Sequence, residues 1–202
     1  MMILPMMPYA LDRNLGRAYN EAMALLPADA WAIFLDHDGL QTTREWFRIV
    51  AEAIAFKPAA GVFVAVTNRI DAPWQRAPES DPENHDIGYH TTIGRNRLFC
   101  RTLLDVTDTK GWGGVAFALS REAWQRAGGF ADGLLCVDHS MHFGLRAAGY
   151  RNYLLESWYV YHRRRAFVGK LPDDTPRVPH CPCRGPEPTP TIRIPIPEAV
   201  LA

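Results

Sequence analysis

Asp36-His37-Asp38 is the stretch of this chain whose residue types and spacing can do chemistry. It follows Trp31-Ala32-Ile33-Phe34-Leu35, an apolar run with the length and composition of a buried strand. In an extended backbone alternate side chains share a side, so Asp36 and Asp38 are expected to face one cavity while His37 faces away. Ligands of open α/β sheets bind beyond the carboxyl ends of the strands. Two carboxylates there form a hard-oxygen site for Mg2+ or Mn2+, commonly completed by substrate phosphates. The plain alternative is a polar strand end running into Gly39, with the two acids serving as turn and helix cap. Two further sites carry titratable groups at element ends. His162 closes the apolar-aromatic run Tyr153 to Tyr161, and Asp138 heads a helical segment.

The elements that must position these groups can be read from hydrophobic period and punctuation. Ile3 to Tyr9 is an apolar stretch whose Pro5 and Pro8 suit the ends or an edge of a first strand. Leu15, Ala18, Tyr19, Ala22, Met23 and Leu26 repeat at helical spacing behind Asn14, a fair N-cap. After the acidic triplet, Thr42-Thr43-Arg44-Glu45 reads as a capping box for a helix with Trp46, Phe47, Val50, Ala51 and Ile54 inward, ended by Lys57-Pro58. Gly61 to Val66 reads as another buried strand closing in Thr67-Asn68-Arg69. Strand, helix, strand, helix, strand implies an α/β domain whose central sheet is mostly parallel, with helices on both faces. Asp71 to Asp86 reads as a surface loop, and Ile87 to Arg97 has no clear period. Val115 to Leu119 reads as a strand. A short helix behind Ser120 stops at Gly128-Gly129, and a helix from Asp138 to Ala148, capped by Asp138, stops at Gly149.

Bulk properties bound the function. A length of 202 residues suits one domain with a tail, and 22 basic against 22 acidic residues leave no net charge, which argues against a nucleic-acid binder. The 4 cysteines, Cys100, Cys136, Cys181 and Cys183, have no framework spacing, so a reducing, cytoplasmic setting is expected. Met1-Met2-Ile3-Leu4-Pro5 has no basic n-region, and no run is long enough to span a bilayer. Prolines crowd the chain from Pro172 onward. The expected organisation is a domain over 1–168 and an extended or partly disordered Pro-rich arm over 169–202, with Thr191 to Ile196 docking on the body or, in a homodimer, on a second subunit. His180-Cys181-Pro182-Cys183 lacks the second ligand pair of a zinc site.

Three motifs together resemble the GT-A glycosyltransferases, specifically the inverting family-two group, over most of Met1 to Arg165. They are Asp36-His37-Asp38 after a buried strand, Gly128-Gly129-Phe130 followed by Val137-Asp138 and Ala148-Gly149-Tyr150, and a strand ending in His162. Two departures stand out: Val137 occupies the place of an acid, as does Ser140, and the amino-terminal part is short. The resemblance implies a single GT-A-like domain, a UDP- or GDP-sugar donor, and a glycan or other hydroxyl acceptor. It implies a metal held by Asp38, by Asp36 (or Asp36 on the ribose) and by His162, an imidazole that favours Mn2+ over Mg2+. Asp12, Asn14, Gly16 and Asn20 fall where a nucleoside-contacting segment belongs, and Gly16 would let a ligand approach the backbone.

Inverting transfer needs a base for the acceptor hydroxyl, and Asp138 is the candidate, N-capping being its alternative. Arg163, with Arg164 and Arg165, carries guanidinium forks matched to diphosphate, or forms a solvated charge run. Trp112 beside Gly113 is a stacking platform for an acceptor sugar or else a core anchor. His142, with His139, would line the acceptor side. His162 has the alternative of a hydrogen-bonded strand-end histidine. Two rival readings stand beside the transferase: a nucleotidyltransferase, for which the chain lacks an early Gly-rich phosphate loop, and a non-catalytic nucleotide- or sugar-binding relative, which the short amino terminus and the missing acid favour.

Overall fold

In the computed structural model the elements run β1 (Ile3–Met6), α1 (Leu15–Ala24), β2 (Trp31–Leu35), β3 (Gly39–Gln41), α2 (Trp46–Phe56), β4 (Ala60–Thr67), α3 (Ile87–Arg97), β5 (Thr102–Asp105), β6 (Ala116–Ser120), α4 (Arg121–Arg126), α5 (Val137–Ala147), β7 (Arg151–His162) and β8 (Arg193–Pro195). A 3-10 turn at Pro73–Gln75 interrupts the loop before α3. The structure describes residues 1–163, 175, 178 and 187–198.

One sheet holds these strands in the order β1-β2-β6-β4-β7-β5-β8, and β3 pairs with the end of β7. The pairs β1–β2 and β4–β7 are parallel. The pairs β2–β6, β4–β6, β3–β7, β5–β7 and β5–β8 are antiparallel. The expected mostly parallel sheet is therefore a mixed one. Strand-helix alternation fixes the common direction of β1, β2 and β4, but not which strand lies between them, and β6 enters antiparallel between β2 and β4.

This order positions the site. β2 and β4 both run against β6, and β7 runs with β4, so the carboxyl ends of β2, β4 and β7 reach the same edge of the sheet, where β6 begins. Alternation along β2 sends Ala32 and Phe34 to one face and Trp31 and Ile33 to the other. The first face packs on Tyr19 and Met23 of α1, Ala123 of α4 and Met141 and Leu145 of α5. The second packs on Ile49, Val50, Ala53 and Ile54 of α2. Helices thus cover both faces.

Several local expectations are corrected. Thr42 caps no helix: its hydroxyl donates to the Tyr159 carbonyl at 2.8 Å, and α2 starts behind Glu45 with no side-chain cap bond. The buried stripe of α2 is turned from the expected one. Ile49 and Ala53 lie inside with Val50 and Ile54, while Phe47 is exposed and Ala51 half-buried. The turn brings Glu52 inward, where it pairs with Arg48 and, at 3.1 Å, with Arg101. α5 begins at Val137 behind Cys136, whose φ of 67° is left-handed, so Asp138 lies inside the first turn and is not the cap. Ile87–Arg97, which has no apolar period, is a helix because Asp86 caps it by accepting the Tyr89 N–H at 2.7 Å. The Ile192 stretch docks on its own body, where β8 pairs with β5. The boundary expected at 168/169, Arg164, Arg165 and the His180, Cys181 and Cys183 group lie outside the described residues. Among the described residues no helix is long and apolar enough to cross a membrane.

Candidate metal centre

The sheet edge brings Asp36, just past β2, Asp38 and His162, the last residue of β7, to one point. One ligand atom from each lies within 4.8 Å of the others. Two backbone ties hold the turn against the end of β7: Gly39 pairs with His162 across β3 and β7, and the Arg163 N–H donates to the Asp38 carbonyl at 3.0 Å. His37 is exposed on the outside of this turn.

The imidazole of His162 is fixed in orientation. Its Nδ1 sits 2.7 Å from the Arg69 carbonyl, and its backbone N–H donates to Asn68 Oδ1 at 2.8 Å. A carbonyl only accepts, so Nδ1 carries a proton, and Nε2 is the nitrogen that faces the acids. That Nε2 lies 3.4 Å from Asp38 Oδ1. A lone pair set against a carboxylate is repulsive unless positive charge lies between them, supplied by a second imidazole proton or by a metal ion. The donor set, two carboxylates and one neutral imidazole, fits Mn2+ and, less well, Mg2+.

Asp36 is the most perturbed acid of the group. Burial pushes its pKa up to about 7, against an ordinary 3.8. His162 opposes the rise, the nearby charges of Asp38 and Asp138 add to it, and a hydrogen bond from the Tyr19 hydroxyl lowers it. Tyr19 is itself buried, with its ring centroid 4.8 Å from those of Phe34 and Phe130 and 5.5 Å from that of Phe117. Burial, then the charges of Asp36 and Asp138, raise its hydroxyl pKa well above 10.0. Asp138 belongs to the same cluster, since its charge is felt at both Asp36 and Tyr19. Its Oδ2 accepts the Gly114 N–H and its Oδ1 the His139 N–H, each at 2.9 Å. Burial raises the Asp138 pKa, while His139 and the bonds from the His139 and Gly114 amides hold it back.

The other residues singled out from sequence lie elsewhere or are occupied. Asn14 Oδ1 caps α1 by accepting from Arg17 N–H at 3.0 Å and also takes the Gly133 N–H at 3.0 Å. Gly16 lies against the Ala131 carbonyl, which any Cβ would strike, and its N–H donates to the Gly133 carbonyl at 3.1 Å. The backbone it approaches closely is the protein's own. Asn20 accepts from Trp124 Nε1 and the Phe130 N–H and donates to the Phe130 carbonyl, so it holds the Gly-Gly-Phe turn. Asp12 pairs with Arg17 at 2.6 Å. The acceptor-side expectations are corrected. Trp112 is 0% exposed, with its ring 4.7 Å from Phe117, so it has no free face for a sugar. Gly113 is bound through both backbone groups to the Gln75 side chain. His142 is buried between Thr109 and Asn152. Arg163 is exposed beside Asp38.

Sequence reasoning missed Tyr19, Asn68 and Gly114 as partners of the site. Tyr19 was one apolar position among others on a helix face, and only the fold shows where its hydroxyl ends. No protein-family model matches the sequence, and neither does any curated protein.

Proposed function

We propose that this protein is a metal-dependent, inverting glycosyltransferase of GT-A type, transferring a sugar from a UDP- or GDP-sugar to a hydroxyl acceptor. The observation that supports it is the His162 imidazole, held with Nε2 toward Asp38 and Asp36 at the carboxyl ends of parallel strands. Bound there, a divalent ion would supply Lewis-acid stabilisation of the diphosphate leaving group. Asp38, Asp36 and His162 would hold it. Arg163, exposed and tied through its backbone to Asp38, is placed to pair with phosphate oxygens. Asp138 is the base of this reading. Its oxygens accept the Gly114 and His139 N–H groups, and burial raises its pKa, the direction that strengthens a carboxylate as a base. A cytoplasmic location belongs to the same proposal, in keeping with four cysteines that show no framework spacing.

A second reading, a non-catalytic nucleotide-binding relative, is favoured by the burial of Trp112 and His142, which removes the expected acceptor groups. Thermal melting with Mn2+ and UDP or GDP tests both. Stabilisation that Asp38→Ala abolishes supports a metal-nucleotide site. No stabilisation in the wild type removes the basis of the transferase. Nucleotide binding without slow hydrolysis of any sugar nucleotide in a panel supports the binding relative.

A further inference from the structure

Asn68 is 1% exposed, directly follows β4, and has no part in the acidic cluster itself. Its Oδ1 accepts the His162 N–H at 2.8 Å and lies 3.2 Å from Thr67 Oγ1. The next residue, Arg69, supplies the carbonyl that takes the Nδ1 proton of His162. Two consecutive residues past β4 therefore hold both N–H donors of one histidine. The register explains why a side chain is needed. β4 and β7 shift register between Ala65 and Val66, after which Val66 pairs with Tyr159 and Thr67 with Val160. Ladder pairing stops there, and the Asn68 side chain provides the acceptor that the backbone no longer does. The other half of its amide, Nδ2, is buried with no hydrogen-bond partner. An unsatisfied buried donor is costly, and what the residue gains in return is the bond that Oδ1 makes to His162.

We infer that Asn68 is a positioning residue that sets the metal preference of the centre, by fixing the His162 backbone from which the imidazole reaches the acids. The inference rests on the metal reading above. Carboxylates alone serve Mg2+ and Mn2+ alike, while the imidazole selects for Mn2+. Loss of a group that orients a metal-bound His typically lowers affinity about 10- to 100-fold. Releasing His162 should therefore weaken Mn2+ and leave Mg2+ little changed, which a general loss of stability would not do.

The test uses the full chain with Mn2+ or Mg2+ alone. Calorimetry gives both affinities, pulsed electron paramagnetic resonance of bound Mn2+ reports coupling to an imidazole nitrogen, and thermal melting confirms folding. The wild type should show the nitrogen coupling. Asn68→Leu, which excludes water and offers no acceptor, should lose the coupling and about 10- to 100-fold in Mn2+ affinity, with Mg2+ affinity nearly constant. Asn68→Asp retains the acceptor and should keep both the coupling and the Mn2+ to Mg2+ ratio. If Asn68→Leu does not fold, Asn68→Ala takes its place with the same expectation. Retention of coupling and ratio in the Leu or Ala variant overturns the inference, as does their loss in Asn68→Asp. A wild type that binds no Mn2+ instead overturns the metal reading itself, so the two failures are distinct.

Discussion

Two buried histidines of this fold have opposite surroundings. His142 donates from Nε2 to the Thr109 carbonyl at 3.0 Å and accepts at Nδ1 from the Asn152 amide at 3.1 Å. Asn152 in turn gives its backbone N–H to Thr107 Oγ1. Every partner is neutral, and burial lowers the His142 pKa to about 4. His162 has one nitrogen satisfied in the same way, by the Arg69 carbonyl, but its other nitrogen faces Asp38, with Asp36 close by. Burial is common to both. What separates the two here is the group that faces the second nitrogen, a neutral amide for His142 and the carboxylate of Asp38 for His162. Both nitrogens of His142 are satisfied by neutral partners, whereas a cation would fit between Nε2 of His162 and the acids.

The sharpest way to break this contrast is to remove one member from each cluster. Asp38→Asn should weaken Mn2+ binding by more than about 100-fold, since it removes a direct ligand where loss of a supporting residue already costs 10- to 100-fold. In metal-free protein the same change relieves like-charge repulsion with Asp36, so the melting temperature should hold or rise. His142→Ala should do the reverse. It leaves a cavity and the unpaired amide of Asn152, lowering stability by about 3 kcal/mol, with Mn2+ affinity unchanged. Calorimetry and denaturant melts of both variants decide the matter. If Asp38→Asn destabilises the metal-free protein as much as His142→Ala does, the acidic cluster is a structural network like the other.

The pH dependence has opposite signs in the two regions. The folded pKa of His142 is about 4, below its ordinary 6.5, so its contribution is fully present above pH 6.5 and is lost as pH falls toward 4. The shift corresponds to about 3 kcal/mol. The folded pKa of Asp36 is about 7, above its ordinary 3.8, so its contribution is present below pH 3.8 and is lost as pH rises through 7. In metal-free protein the two slopes oppose one another between about pH 4 and 7. His142→Gln should remove the first, leaving stability that falls with rising pH, and Asp36→Asn should remove the second. Melts at pH 4.5 and 7 in a chelator read both slopes. Parallel slopes in the two variants would contradict the assignment.

A smaller effect tests the support of Asp36. Tyr19→Phe removes the hydroxyl that bonds Asp36 and keeps the ring among Phe34, Phe117 and Phe130. Mn2+ affinity should fall by about tenfold, the lower end for a supporting residue, with stability changed by about 1 kcal/mol or less. Unchanged affinity would mean that the Tyr19 hydroxyl does not orient Asp36.

The sequence was most readable where one local signal decided the outcome. Asn14 caps α1, Ser120 caps α4 through the Ala123 N–H, and Gly128 and Gly149 take the positive φ that ends α4 and α5. The run Trp31 to Leu35 is β2 to the residue. The meeting of Asp36, Asp38 and His162 could be anticipated only through the resemblance of motifs, because the pairing of β3 with the end of β7 is a long-range event. Where the reading failed, the residue type fitted two environments. Trp112 suits a sugar platform or a core, and the packing of Phe117 against it decides for the core. His142 lies one turn after Asp138 on the same side of α5, so spacing alone puts both toward one region, and only the fold shows that His142 meets Thr109 and Asn152. Thr42 and Glu45 have capping-box spacing, yet the Tyr159 carbonyl, distant in sequence, takes the Thr42 hydroxyl.

Arg163 gives the smallest effect and bears on the outer limit of the charged region. Its backbone is fixed to Asp38, while its side chain is exposed. An exposed guanidinium paired with an anion contributes about 0.2–1 kcal/mol, so Arg163→Ala should weaken UDP or GDP binding by about fivefold at most. The loss should shrink as salt rises from about 0.01 M to 0.15 M, because screening shortens the reach of exposed charges. Mn2+ binding without nucleotide should not change, since the Arg163 N–H that meets the Asp38 carbonyl survives the substitution. A salt-dependent loss confined to nucleotide would extend the site from the carboxylates to the phosphates. A loss of Mn2+ affinity would instead show that the side chain holds the Asp36-Asp38 turn in place, and Arg163 would then belong with Asn68 among the residues that support the centre.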